Sequence, residues 1–354
     1  MASTEELVKV SRRVLSDCFL RNGAVVAGNS RKKYYPAQAK DYRFVWPRDA
    51  GYLLMAADIL GLEFTDRFVN WCLKAEGVRE TGLFFEKYHV SGRRAKHNFQ
   101  PDQNGLLLIA LHDLFMAGEE LTDEAKKLTL LLADGLCRVW SDDCFSLVTQ
   151  DLWEERHCFP DLKENFSYSL AVCARGLECA SEMLGEKKWM KTGGKMKNVL
   201  ASSPGGHYPR SFGEMVDERV DASLLGLLWP AQAVDACDKR FQRTVELIEE
   251  RLVSDGGIYR YEGDEYDGWM GPGGVHRKKG AGYWPLLNFW MSVVKKQMGE
   301  EDAAMMYYNK VLDDLDDSLL IPEQVYGNSI QVSVKPLAWS HAMFVIASRY
   351  LGFA

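Results

Sequence analysis

The sequence predicts an all-α protein built as an (α/α)6 barrel, with six inner helices wrapped by six outer ones. Three observations carry that expectation. Apolar residues recur at helical spacing in twelve segments, and no stretch shows a convincing strand alternation. The even-numbered segments begin near residues 48, 105, 166, 220, 281 and 337, at steps of 54 to 61 residues. Those same segments are the more uniformly apolar, as helices surrounded by protein are. An open solenoid also yields helix pairs at a period, but its repeats resemble one another in sequence, and these share no residue signature. A closed ring places the long loops that precede the inner helices on one face.

Each element has a local reason. Leu7, Val8, Val10, Val14, Leu15 and Phe19 mark the first helix, over residues 5–20. The second begins near Arg48 and runs to about Leu60, with Pro47 near its start, where the missing N–H costs nothing. A third covers 64–76. After a mixed loop at 78–102, the apolar run Leu106 to Leu111 opens the fourth near Gly105. The fifth runs from Thr122, where Thr122-Asp123-Glu124 can cap, to about Trp140. The sixth covers 166–184, and the seventh 186–200. The eighth is expected over 220–236, with Pro230 kinking or splitting it. The ninth covers 239–252. A glycine-rich loop fills 254–280, the tenth helix runs from there to about Lys296, the eleventh covers 301–315 and the twelfth 337–350. A single domain over 1–354 is the simplest organisation.

Composition narrows the function. A chain of 354 residues with 47% hydrophobic content can bury a large core. Net charge is -7, and basic runs are short, such as Arg31-Lys32-Lys33, which argues against nucleic acid and anionic membrane as partners. The start, Met1 to Glu6, has no apolar leader, and no stretch of about 18 apolar residues occurs, so a cytoplasmic protein without a membrane span is expected. The eight cysteines form no CxxC pair and read as reduced core residues. The seven histidines show no HExxH spacing, so no metal site and no cofactor are expected. His341 reads as a satisfied core histidine. The glycine-rich loop lacks the GxxxxGK[ST] order, so phosphate binding is rejected.

The most informative stretch is Asp151-Leu152-Trp153-Glu154-Glu155. Three acids within five residues repel each other, so burial should raise the pKa of one of them. A tryptophan beside a carboxyl suits a proton donor next to a sugar ring. The stretch taken alone also fits a solvated acidic loop ahead of a helix N-terminus. Closing the barrel changes the weight, because three other loops then join it. Val45-Trp46-Pro47-Arg48-Asp49 offers an arginine fork beside a carboxylate, a grip for vicinal hydroxyls. Gly257 to Asp264 offers Arg260 among aromatics, and Ile321-Pro322-Glu323-Gln324-Val325 offers a second carboxylate. Two carboxyls across an aromatic-lined pocket are glycosidase equipment.

The segments DYRFVWPRDAGY, FQPDQNG, DLWEER followed by NFSYS, GIYRYEGDEYDG, IPEQV and PLAWSHA, in this order, resemble the family 15 glycoside hydrolases, the glucoamylase and glucodextranase family, over about residues 40–345. That resemblance implies an (α/α)6 barrel, in agreement with the helix periodicity. It implies that Glu154 is the general acid and Glu323 the general base. It implies that Arg48 and Asp49 bind a non-reducing-end glucose, with Tyr42 and Trp46 in the same subsite and Arg260 facing it. Trp153 and Glu155 match wall residues, and Gln100 and Asp102 support the wall. Lys96 and His97 stand where fungal members carry a tryptophan, a departure on the leaving-group side. The implied activity is an inverting exo-α-glucosidase releasing β-glucose from short α-glucans, α-1,4 or α-1,6, with trehalose a third possibility. An oligosaccharide is the expected partner. A barrel epimerase would need paired histidines in the funnel, and a silent sugar-binding barrel would have lost one of the two glutamates; neither mark is present.

Overall fold

Caps and prolines set where the helices begin. In the computed structural model, which describes residues 3–118, 120–268, 280–328 and 331–353, Ser3 and Glu6 form a capping box ahead of α1 (Thr4–Cys18). α2 (Pro47–Ile59) starts on its proline. α3 (Thr65–Cys72) is followed by the one-turn α4 (Val78–Thr81) and by α5 (Asp102–Met116). The Thr122 hydroxyl caps α6 (Asp123–Val139). α7 (Ser167–Leu184) stops at Gly185, whose φ of 79° the missing Cβ permits. Then come α8 (Lys187–Ala201), α9 (Lys239–Leu252) with Asp238 as its cap, α10 (Pro285–Gln297), α11 (Glu301–Asp314) and α12 (Ala338–Tyr350).

The inner ring closes on itself. α2 packs on α5, α5 on α7, α7 on the segment Ala222–Leu227, that segment on α10, α10 on α12, and α12 back on α2. Outside it, α1 lies against α12 and α2, α3 against α6, α6 against α5 and α7, α8 against α7, α9 against Ala222–Leu227, and α11 against α10. The (α/α)6 barrel expected from the sequence therefore forms. Burial follows the same division. Every residue of α2 from Pro47 to Ala57 is buried, and so is all of α12 from Ala338 to Ser348. α9 instead buries one stripe, which includes Phe241, Val245 and Ile248, and turns its charged residues outward. Gly105 and Gly176 let two inner helices touch backbone to backbone, since a Cβ on either would lie 2.6 Å from a carbonyl oxygen of the other helix.

One stave differs from expectation. The eighth helix is not an α-helix over 220–236. Ala222–Leu227 is a short 3-10 helix, opened by Asp221, whose carboxylate accepts the Ser223 N–H at 2.8 Å. Pro230 removes a donor and disfavours helical backbone at Trp229, so the chain leaves the helix before it. Gly226 is pressed on the Tyr168 ring, where a Cβ would come within 2.5 Å. The tenth helix starts at Pro285 rather than near 281, and Gly271, Gly273 and Gly274 of the glycine-rich loop lie outside the described residues. The loops also contain two-residue β-pairs, such as Phe44–Val45 with Tyr88–His89 and Thr149–Gln150 with His157–Cys158. Pairs this short leave no alternation to read in a sequence.

Aromatic rings fill the barrel axis. Tyr52 stacks on Trp339 at 4.9 Å between centroids and meets Trp290 and Trp229 edge-on or tilted, while its hydroxyl lies 3.2 Å from that of Tyr168. These rings plug the axis beneath the first turn of α2.

Candidate active site

The inner-helix N-termini and the loops before them share one end of the barrel, and a cavity of about 340 Å³ opens there. All nine residues expected from the sequence line it: Tyr42, Trp46, Arg48, Asp49, Trp153, Glu154, Glu155, Arg260 and Glu323. Gln100 and Asp102 do not reach it. They sit behind Arg48, whose Nη1 donates to Gln100 Oε1 at 3.2 Å and to Asp102 Oδ2 at 3.3 Å. Lys96 and His97 are exposed and line no part of the cavity.

The first turn of α2 makes the floor. Arg48 and Asp49 are 3% and 7% exposed, with Arg48 Nη2 3.2 Å from Asp49 Oδ1 and the guanidinium 5.4 Å from the centre of the Trp339 ring. Burial raises the Asp49 pKa to about 6, against the pull of Arg48.

Glu154 owes its place to a tight loop carried on the Thr149–Gln150 and His157–Cys158 hairpin. Asp151 is the keystone of that loop rather than part of the cavity. Its Oδ1 accepts the N–H groups of Glu155 at 2.8 Å and Arg156 at 3.1 Å, and its Oδ2 accepts from Arg210 at 2.9 Å. Arg210 Nε lies 3.0 Å from Asp221, and Asp221 in turn accepts the Trp153 indole N–H at 3.0 Å. Glu154 takes a φ of 65°, left-handed backbone that non-glycine residues rarely adopt. Its carboxyl accepts the Trp46 indole N–H on Oε1 at 2.5 Å and stands 3.7 Å from Lys87 Nζ on Oε2. Burial raises its pKa to about 7, helped by Glu86 and opposed by Lys87 and Arg48. Glu155 points elsewhere, to Arg260 Nη2 at 2.8 Å and to the Tyr261 hydroxyl.

Arg260 is clamped. Asp264 accepts from its Nε at 2.8 Å and its Nη2 at 2.7 Å, and the rings of Trp153, Tyr266 and Trp284 surround it at 4.9 to 5.4 Å. Glu323 faces the same cavity from the other side. It is 3% exposed and accepts the Tyr42 hydroxyl on Oε1 at 2.6 Å. Burial raises its pKa, while Tyr42, Lys40 and Arg260 lower it. Glu262 and Asp264, the nearest alternative carboxylates in sequence to Arg260, are engaged outside the cavity with Arg251 and with Arg260 respectively.

The sequence reading passed over Lys40, Lys87, Tyr266, Trp284 and Trp339, which also line the cavity. A signal for Trp284 exists: Trp284-Pro285 opens α10 as Trp46-Pro47 opens α2. Lys87 is placed by the pairing of Val45 with Tyr88, which sets its ammonium 4.7 Å from the Trp46 ring centre. His341 is fully buried, bonded to Ser11 and to the Ile321 N–H at 2.9 Å each. Among the described residues, no group of three or more His, Cys, Asp or Glu is arranged to hold a metal ion, and no helix is long and apolar enough to cross a membrane.

The chain is similar to an uncharacterised glycosyl hydrolase of Methanocaldococcus jannaschii, 26% identical over 98% of the chain and 56% of the relative. It is also similar to a trehalase of Mycolicibacterium smegmatis, 24% identical over 82% of the chain and 45% of the relative. It thus spans about half the length of these curated relatives. Among solved structures, a glycosidase variant superimposes with a TM-score of 0.79 at 19% identity, over 99% of this chain and 97% of that one. The glucoamylase from Saccharomycopsis fibuligera gives 0.73 at 12% identity, over 99% and 96%. Those likenesses speak for the barrel. Residues 65–314, well over half the chain, match the profile described as glycosyl hydrolases family 15, and the chain belongs to that family of glycoside hydrolases.

Proposed function

We propose that this protein is an inverting, exo-acting α-glucoside hydrolase that releases β-glucose from the non-reducing ends of short α-glucans. One observation carries the reading: Glu154 and Glu323, from loops 169 residues apart in the sequence, line one cavity whose floor is the buried Arg48–Asp49 pair. Glu154 is the general acid. A carboxyl with a pKa of about 7 still holds a proton at neutral pH to give to the glycosidic oxygen. Glu323 is the general base. Burial raises its pKa, and against that, hydrogen bonding from Tyr42 and the nearby cations Lys40 and Arg260 favour the ionised form, which takes a proton from the attacking water. Arg48 and Asp49 hold the hydroxyls of one terminal glucose, and Trp46, Tyr42, Trp153, Glu155 and Arg260 wall it in. The aromatic plug beneath Arg48 leaves a longer glycan no exit, so one monosaccharide leaves per event.

Trehalose is the second reading, favoured by the trehalase among the relatives. A panel of maltose, isomaltose, nigerose, kojibiose and trehalose with glucose detection separates the two. Proton NMR of the anomeric region in the first minutes tests the stereochemistry. β-Glucose should appear first. On a maltooligosaccharide, α-glucose as the first product from the non-reducing end would mean retention and would remove Glu323 from its role, whereas inverting cleavage of trehalose gives one β- and one α-glucose.

A further inference from the structure

Glu323 receives a hydrogen bond that begins on another element. Lys40 Nζ donates to the Tyr266 hydroxyl at 2.7 Å, the hydroxyls of Tyr266 and Tyr42 lie 3.3 Å apart, and Tyr42 donates to Glu323 Oε1 at 2.6 Å. All four side chains line the cavity. Counting protons fixes the direction of the whole chain. A carboxylate has none to give, so Tyr42 gives its only one to Glu323. Tyr42 can then only accept from Tyr266, and Tyr266 must accept in its turn. An ammonium, with three donors and no acceptor, cannot run this chain backwards.

Lys40 is held where it can do this. The Tyr35 hydroxyl donates to its carbonyl at 2.5 Å, and its ammonium lies 4.4 Å from the centre of the Tyr266 ring. Tyr266 is itself anchored, its N–H donating to Asp264 at 3.0 Å, and Asp264 is gripped by Arg260. The groups that act on Glu323 are Tyr42, Lys40, Arg260 and Asp49, and the phenols of Tyr35, Tyr266 and Tyr326 feel its charge. Of the two cations, Arg260 is gripped by Asp264 and Glu155, and Lys40, which also feels Glu154 and Asp267, meets Glu323 through the relay.

The geometry points to Lys40 as a positioning residue of the reaction: it orders the Tyr266–Tyr42 relay in one direction and holds Glu323 as an oriented carboxylate. This rests on the reading of Glu323 as the general base.

The test uses α-glucosyl fluoride, whose leaving group needs no proton, so the pH–rate profile loses its alkaline limb and the acidic limb reports Glu323. Glu323→Gln must first abolish turnover of the fluoride; retained turnover would overturn the reading of the base itself. In Lys40→Met the acidic limb should rise by about half to one pH unit, because a cation that favours the carboxylate is gone. Lys40→Arg should return it towards the wild-type position. Tyr266→Phe, which removes one hydroxyl and leaves the packing, should raise it as well and covers the case that Lys40→Met does not fold. An acidic limb unmoved in Lys40→Met or in Tyr266→Phe, whatever the rate, overturns the inference while leaving Glu323 as the base.

Discussion

Glu154 and Glu323 are the same side chain held in two different ways. Glu154 sits on left-handed backbone at the tip of a short hairpin, with 26% of its side chain exposed and a lysine and an indole N–H on its two oxygens. Glu323 lies at a bend in the loop after Pro322, with only 3% of the whole residue exposed and a tyrosine hydroxyl on one oxygen. A group that gives a proton to a departing sugar and regains it each cycle needs a route to water. A group that orients one water against the sugar needs shelter from the rest. The surroundings of each carboxyl suit its proposed role, and exchanging them would serve neither.

The largest test of that contrast removes one carboxyl at a time. Glu154→Gln and Glu323→Gln should each lower kcat on a disaccharide at least about a thousandfold, the general acid–base contribution being roughly 10²–10⁴ per group. The two should then part company: α-glucosyl fluoride restores turnover to Glu154→Gln and not to Glu323→Gln. Equal rescue of both would erase the distinction between them.

Next comes the scaffold of the loop. Arg210→Met leaves Asp151 and Asp221, two buried carboxylates, without the cation between them. It should cost about 3–5 kcal/mol of stability in urea unfolding. Glu323, whose backbone is fixed by the Val334 carbonyl and whose side chain is held by Tyr42, should keep its acidic limb in this variant.

The pH profile sharpens the comparison further. As the proposed acid, Glu154 acts when protonated, and its pKa is raised to about 7, so the rate on a disaccharide should hold between the acidic limb of Glu323 and about pH 7 and fall tenfold per unit above it. The fall should vanish with the fluoride. The smallest effect belongs to Trp46→Phe. Loss of the indole N–H removes a donor that favours the Glu154 carboxylate, so the alkaline limb should move up by less than about one unit.

Much of this site was legible because it is local. Arg48 and Asp49 follow a proline that must open a helix, and Asp151 to Glu155 crowd three acids and a tryptophan into one turn. Such signals need no partner to be read. The period of the inner helices gave the barrel for a similar reason, since uniform apolarity is a property of each segment alone. What stayed hidden depends on pairing between distant segments. Lys87 reaches Glu154 through the register of Val45 with Tyr88, and Lys40 reaches Glu323 through two tyrosines 224 residues apart. The eighth stave was misread because four leucines and a glycine look helical, while the pressure of Tyr168 on Gly226 and the stop at Pro230 decide otherwise. The role of Asp151 was also out of reach: whether an acid in that turn faces the cavity or Arg210 is decided by the fold.

The last inner helix closes the ring, and this bears on how the protein is made. α12 covers the flank of α2, so an apolar edge formed by residues near 50 waits for partners near 340. Contacts of such sequence separation form late. As the chain emerges from the ribosome, α2 and α10 each present an uncovered side until α12 (Ala338–Tyr350) arrives, a window in which chaperones or aggregation compete for them. Tyr42 and Glu323, 281 positions apart, are a contact of the same long reach. A nascent chain halted before α12 therefore carries the proposed proton donor and the arginine proposed to bind sugar but has no assembled site.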